Sequence, residues 1–293
     1  MKKILLAVYI LVALSGCATA EFRESDYARS AQIVSTEPQS GRNTTDALGL
    51  GPMRAQIPAY DGRGQLIASW TPQARPGQAP TFVIMHGGHG IGGTDFVMAQ
   101  RLRTEFNANV LVLDSYWSRG RSQNWNRDAS IDANVRTFDA IAAGRWLVQQ
   151  GTDPNRTYMI GGSQGGWVVL RAFTNDPTIA NLVKPLYRGG ISLYPVCDTG
   201  PDLAPYHGPV LLLTGGRDET TPIYRCPRRV TASAHRWVHY PEGTHAWDIA
   251  VNGPLSPSVD GQCARSANPA AFRMCYSERI TNAMYQEIRN FVQ

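Results

Sequence analysis

The stretch Ile160-Gly161-Gly162-Ser163-Gln164-Gly165-Gly166 decides how the rest of the chain is read. A largely apolar run, 157–160, stops at a serine flanked by glycines, and a helix-compatible run, 167–173, follows. G-x-S-x-G between a strand and a helix is the pattern of a nucleophile elbow. A serine hydroxyl is a poor nucleophile until a base takes its proton, so it must project from a tight turn toward that base. Side chains two residues before and after the serine would collide in such a turn, which accounts for Gly161 and Gly165. Glycine-rich strand-to-helix turns can also hold an incidental serine, so the motif gains weight only from its surroundings.

Outward from the elbow the chain alternates. Residues 81–85 and 110–113 are continuous apolar runs, as strands buried on both faces require. Residues 94–106 suit a helix, and Ile131, Val135, Phe138, Ala142 and Trp146 fall at helical spacing within 131–148. Further strands are predicted over 190–194, 210–213 and 237–240. Ile280, Met284, Ile288 and Phe291 stripe a closing helix. Upstream, 53–57 and 66–70 flank the turn signal Asp61-Gly62-Arg63-Gly64, which predicts a hairpin. This rhythm predicts an α/β fold: one domain over 51–293, with a mostly parallel central sheet flanked by helices on both faces. Residues 251–275 are rich in Pro, Gly and Asn and read as an irregular insertion pinned by a Cys263–Cys275 bridge.

The 293 residues are 43% hydrophobic and 17% charged, a globular composition. The net charge of +5 is scattered apart from Arg119/Arg121 and Arg225/Arg228/Arg229. No long basic run with interleaved aromatics points to nucleic acid as a partner. At the N-terminus, Lys2 and Lys3 precede the apolar run 4–14 and then Ser15-Gly16-Cys17. The run is too short to span a membrane comfortably. It has the layout of a signal peptide over 1–16, and Leu14-Ser15-Gly16-Cys17 resembles a bacterial lipobox, in which the cysteine is acylated. The competing reading is an ordinary secretory signal cut near Ala18-Thr19-Ala20. The lipobox reading makes Cys17 a lipid anchor to a membrane, with Ala18 suiting an outer membrane and a periplasmic location. Residues 17–50 are polar and unpatterned, a linker. After export, Cys197, Cys226, Cys263 and Cys275 are an even set in an oxidising compartment, so two disulfides are expected, with three possible connectivities. No spacing is C-x-x-C, which argues against structural zinc.

In a parallel sheet, functional residues sit on loops at the carboxyl ends of strands. Those loops hold His86-Gly87-Gly88-His89-Gly90, Ser163, Gly216-Arg217-Asp218 and Gly243-Thr244-His245. A nucleophile, a carboxylate and an imidazole thus appear in the order Ser163, Asp218, His245. His245 would take the Ser163 proton and return it to the leaving group. Asp218 would hold the imidazole tautomer and stabilise the imidazolium. Backbone N–H groups of Gln164 and Gly88 would form the oxyanion hole. Competing readings make Asp218 a helix cap, give its place to Glu219, or make His86 and His89 metal ligands. The last lacks a nearby third ligand, so no metal or cofactor is expected.

These loops together resemble the dienelactone hydrolase-like branch of the α/β-hydrolase superfamily over roughly residues 80–250. Asp114-Ser115-Tyr116-Trp117-Ser118-Arg119-Gly120, the Arg136/Asp139 pair, Tyr194-Pro195-Val196-Cys197 and Tyr240-Pro241 with Thr244-His245-Ala246-Trp247-Asp248 carry the likeness. It implies a bridge between Cys197 and Cys226 near the site. The family's cysteine nucleophile is replaced by Ser163, which points away from dienelactone itself. The expectation is a serine carboxylic-ester hydrolase that cleaves a small-molecule ester through an acyl-enzyme on Ser163. A peptidase or acyltransferase on the same scaffold, or a non-catalytic envelope-binding lipoprotein, are the alternatives.

Overall fold

The computed structural model describes residues 55–121, 123–124, 129–197, 203–249, 263–265 and 273–293. The expected signal peptide, Cys17 and the linker lie outside the described residues. The predicted strands join in one eight-stranded sheet: β1 (Ala55–Pro58), β2 (Gln65–Thr71), β3 (Thr81–Met85), β4 (Asn109–Leu113), β5 (Thr157–Gly162), β6 (Gly189–Leu193), β7 (Val210–Gly215) and β8 (Arg236–Tyr240), in the order β1-β2-β4-β3-β5-β6-β7-β8. From β4 to β8 all neighbours are parallel. The strand β2 runs antiparallel to both β1 and β4. The predicted hairpin is β1–β2, with Ile57 opposite Leu66.

Six helices are described: α1 (Gly93–Glu105), α2 (Ala133–Gln149), α3 (Gln164–Ala172), α4 (Pro177–Val183), α5 (Arg228–Ala232) and α6 (Glu278–Val292). Alternation along the strands sends successive side chains to opposite layers. Val83, Met85, Leu111 and Met159 pack with α2, α3, α4 and α5 through Phe138, Val168, Ile179 and Val230. Phe82, Ile84, Val110 and Ile160 pack with α1 and α6 through Leu102, Ile280, Met284 and Ile288. The helix α2 starts where the Asp132 carboxylate accepts the N–H groups of Asn134 and Val135 at 2.8 and 3.1 Å, a side-chain N-cap. Ser277 caps α6 in the same way. No described helix is long and apolar enough to cross a membrane.

Two features depart from the sequence reading. The short helices α4 and α5 carry no periodic stripe long enough to register, although Asp176-Pro177 is a start signal: Asp176 caps α4 and Pro177 occupies its first turn. Within 251–275, two short strands, β9 (Cys263–Arg265) and β10 (Arg273–Cys275), pair antiparallel. The expectation of an irregular segment is corrected there. Pairing satisfies backbone groups that a loop would leave to water, and it sets Cys275 directly opposite Cys263. Cys275 is disulfide-bonded.

A second disulfide joins Cys197, just past β6, to Cys226, just before α5, across a sequence separation of 29 residues. It is the bridge that the family resemblance implies. Releasing a closed loop of that size costs about 2–4 kcal/mol in the chain-entropy account. A Cys197→Ala/Cys226→Ala double variant should therefore unfold at a clearly lower urea midpoint than the wild type. An unchanged midpoint would mean that the bridge contributes nothing to stability.

Candidate active site

The elbow is built by close backbone approach. Ser163 is the residue between β5 and α3, with φ +56° and ψ −118°, a region that costs a non-glycine residue of order 1–3 kcal/mol. Three backbone hydrogen bonds hold it there: its N–H donates to the Leu193 carbonyl at 3.0 Å, and its carbonyl accepts from Trp167 and Val196 at 3.1 and 3.2 Å. A β-carbon on Gly161 would stand 2.6 Å from the Gly165 carbonyl carbon. One on Gly165 would overlap the Met85 carbonyl oxygen. Both motif glycines are thus required by space. Trp167, 6% exposed, packs α3 onto the sheet.

Asp218 and His245 meet three residues past β7 and five past β8. The His245 Nδ1 lies 2.9 Å from Asp218 Oδ2, and both side chains are buried. The other Asp218 oxygen accepts the N–H groups of Thr220 and Thr221 at 2.9 and 2.8 Å. Burial pushes the Asp218 carboxyl up, but the charge and hydrogen bond of His245 and the Thr221 donors outweigh it and hold the group below its ordinary value. An anion opposite Nδ1 fixes the proton on that nitrogen and leaves the Nε2 lone pair free. Asp218 also caps its own turn, so the cap and the histidine partner are one residue. Glu219, the competing carboxylate, is exposed. His207 stacks on Phe173, and His239, on the edge strand β8, bonds Thr214 of β7.

Ser163 and His245 line the same cavity of about 280 Å³, together with Gly87, His89, Tyr194 and Met98. No hydrogen bond joins Ser163 to His245 among the described residues. The loop after β3 closes over the serine: a β-carbon on Gly87 would lie 3.8 Å from Ser163 Cβ. Gly88 is the next residue, buried, its carbonyl accepting Asn124 N–H at 2.8 Å. Gln164 opens α3, where a first-turn N–H has no intrahelical acceptor. Its side chain is committed elsewhere, accepting from Tyr116 Oη and donating to the Asn124 carbonyl, both at 2.9 Å.

His86 explains how that loop is held. Its Nε2 accepts Ser115 N–H at 3.2 Å, so Nδ1 carries the proton and donates to the Gly87 carbonyl at 2.8 Å. Burial first, then the Arg136 charge, drives its pKa well down, so the ring is neutral. Both nitrogens are spent inside the protein, which removes His86 as a metal ligand. Among the described residues no three His, Cys, Asp or Glu side chains gather as a metal would need. Arg136 donates to the His86 carbonyl at 2.6 Å and to Tyr116 Oη at 3.2 Å. Arg119 makes a buried two-pronged pair with Asp139 at 2.8 and 2.9 Å, which fixes the loop after β4. Arg121 is exposed.

The sequence reading missed three groups on this cavity: Asp95, Tyr194 and Asp248. Tyr194 Oη donates to Asp248 Oδ1 at 2.7 Å. Asp95 accepts Gly92 N–H at 2.8 Å at the start of α1. Gly92 and Asp95 at that spacing were a visible helix-start signal, but nothing in the sequence placed them against Ser163.

Sheet order, elbow and strand-end loops together make an α/β-hydrolase fold. The prolyl oligopeptidase family (peptidase S9) matches residues 94–201, a stretch that contains the elbow and ends before Asp218 and His245. No curated protein matches the chain. Among solved structures, a protein named as a dienelactone hydrolase from Klebsiella pneumoniae is 16% identical, with a TM-score of 0.58, over 81% of this chain and 97% of that one. A dienelactone hydrolase-like promiscuous phosphotriesterase from metagenomic libraries is 15% identical, with a TM-score of 0.53, over 81% and 96%. Dipeptidyl peptidase 4 of Porphyromonas gingivalis is 15% identical, with a TM-score of 0.50, over 70% of this chain; this chain spans only 34% of that one.

Asp95 gives a pH-dependent prediction. Burial, reinforced by the Asp248 charge, raises its carboxyl to about 7 against the Gly92 hydrogen bond and Arg136. A raised acid keeps its proton in the folded state while the unfolded chain has lost it, so stability falls as pH rises from about 4 to about 7. Asp95→Asn keeps an acceptor for Gly92 and removes that penalty. Its melting temperature should exceed wild type at pH 8 and not at pH 4. Equal destabilisation at both pH values would contradict the assignment.

Proposed function

We propose that the protein is a serine hydrolase of carboxylic esters, with Ser163 as nucleophile, His245 as general base and acid, and Asp218 as the group that orients the imidazole. The 2.9 Å bond from His245 to Asp218 carries the reading, because it frees Nε2 of an imidazole that shares a cavity wall with Ser163. Catalytic hydrogen bonds are often long before substrate binds and tighten in the Michaelis complex. As Ser163 Oγ attacks the ester carbonyl carbon, its proton passes to Nε2. The carbonyl oxygen becomes an oxyanion, received by the N–H groups of Gln164 and Gly88 with the start of α3 behind them. Collapse breaks the bond to the alcohol, which leaves with the proton from Nε2. Water, deprotonated by the same nitrogen, then releases the acid and regenerates Ser163.

The cavity volume suits a small-molecule ester. The leader sequence supports export and attachment to a membrane through acylated Cys17, in the outer membrane facing the periplasm. The match of residues 94–201 to the prolyl oligopeptidase family favours a second reading, in which the same groups cleave an amide.

Kinetics on p-nitrophenyl acetate and on aminoacyl p-nitroanilides separate the two. Ester turnover should exceed anilide turnover, and Ser163→Ala and His245→Ala should each lower kcat by roughly 10⁴-fold or more. Wild-type rates in both variants would remove these residues from the mechanism, and faster anilide cleavage would favour the peptidase.

A further inference from the structure

We infer that Tyr194 is a positioning residue for His245: it ties the histidine turn to the elbow and the acid turn through a hydrogen bond to Asp248. The inference rests on the assignment of His245 as the base, and it concerns what holds that base in place.

Tyr194 touches each arm of the site. Its ring meets the His245 ring edge-on at 4.9 Å between centroids and the Trp247 ring at 4.8 Å. Its hydroxyl donates to Asp248, three residues past His245, at 2.7 Å. Its carbonyl accepts from Thr221 Oγ1 at 2.9 Å, and that same oxygen lies 2.9 Å from Asp218 Oδ2 and 3.1 Å from His245 Nδ1. Its N–H donates to Leu213 at the end of β7 at 2.8 Å. On the nucleophile side it fills the space over Gly162, where a β-carbon would stand 2.6 Å from the tyrosine hydroxyl.

The backbone of Tyr194 is strained, with φ +34°. A bulky residue in that region is an outlier, and such strain persists only where the surroundings hold it. Here the strain turns the chain sharply after β6, and the ring comes to lie between Gly162 and His245. The histidine turn needs such a tether: Ala246, next to the imidazole, also has positive φ, at +54°. The Asp248 carboxylate cannot be replaced by Asp218 in this task, since Asp218 is already bonded to Nδ1. The network therefore has two carboxylates with separate duties. Asp218 faces the imidazole nitrogen, and Asp248 anchors the far end of the turn that carries it.

A positioning role predicts loss of turnover without loss of binding. Tyr194→Phe keeps the ring against His245 and Trp247 and removes only the donor to Asp248; Asp248→Asn weakens the same bond from the other side. On p-nitrophenyl acetate, each variant should lose about tenfold in kcat, and at most about a hundredfold, with KM within about twofold of wild type, as a small misplacement of a catalytic group does. Because both changes break one link, the double variant should lose no more than the worse single. Ser163→Ala run alongside tests the underlying assignment separately: activity surviving in it overturns the nucleophile, whatever the Tyr194 variants do. With Ser163→Ala inactive, a kcat within twofold of wild type in Tyr194→Phe would overturn the inference. So would a rise in KM alone, or losses that multiply in the double variant.

Discussion

No side-chain carbon can exist at position 165, because it would occupy the space of the Met85 carbonyl oxygen. That exclusion is the constraint on which the rest depends. It lets α3 start directly against the carboxyl end of β3, one residue after Ser163, which sits at φ +56°. The parallel pairing of β5 with β3 on one side and β6 on the other brings three strand ends to one level. The loop after β3 and the turn after β6 then have to pass close to the serine. Strain at Ser163 is tolerated because the Leu193, Trp167 and Val196 hydrogen bonds over-determine its position.

Behind the loop over Ser163 lies a buried polar network instead of an apolar core. His86, Tyr116, Arg136, Gln164 and Asn124 are each nearly or fully buried and bonded to one another or to backbone. Burying such groups is unfavourable unless they are paired. Paired as they are, they fix loop geometry more sharply than apolar packing would, because each bond has a direction as well as a distance. Removing Arg136 would take a donor from the His86 carbonyl and from the Tyr116 hydroxyl, which would keep only its bond to Gln164. The buried Arg119–Asp139 pair does the same for the loop after β4. Rigid loops around a cavity are what charge development during acyl transfer calls for, since donors must be in place before the oxyanion forms.

Much of this was legible in the sequence, for a physical reason. Strands buried on both faces are continuous apolar runs, so β3, β4, β5 and β7 announce themselves, and the chemistry-bearing loops follow at fixed places. The order Ser163, Asp218, His245 could be read because Ser163 and Asp218 follow such runs and His245 follows the shorter, partly exposed strand β8. Tyr194 and Asp248 could not be read as a pair. They are 54 residues apart, and their meeting depends on the turn after β6 taking a positive φ, which an aromatic residue rarely adopts. Asp95 reads as a helix-start residue, and only the tertiary fold sets it on the cavity wall. The sequence put His86 in the oxyanion-hole loop, and only the fold shows that its ring braces that loop through two hydrogen bonds to backbone. The helices α4 and α5, of seven and five residues, are too short for a 3.6-residue period to show.

Likeness to solved structures extends over nearly the whole length of two dienelactone hydrolase-type chains, and the family match to prolyl oligopeptidases covers the elbow. Likeness at this level shows the scaffold, and the chemistry has to be argued from the site. The most direct measurement of the central claim is covalent. Protein treated with diisopropyl fluorophosphate, digested and mapped by tandem mass spectrometry, should carry one phosphoryl group per chain, on Ser163. An unmodified Ser163 peptide, or modification spread over other serines, would contradict it.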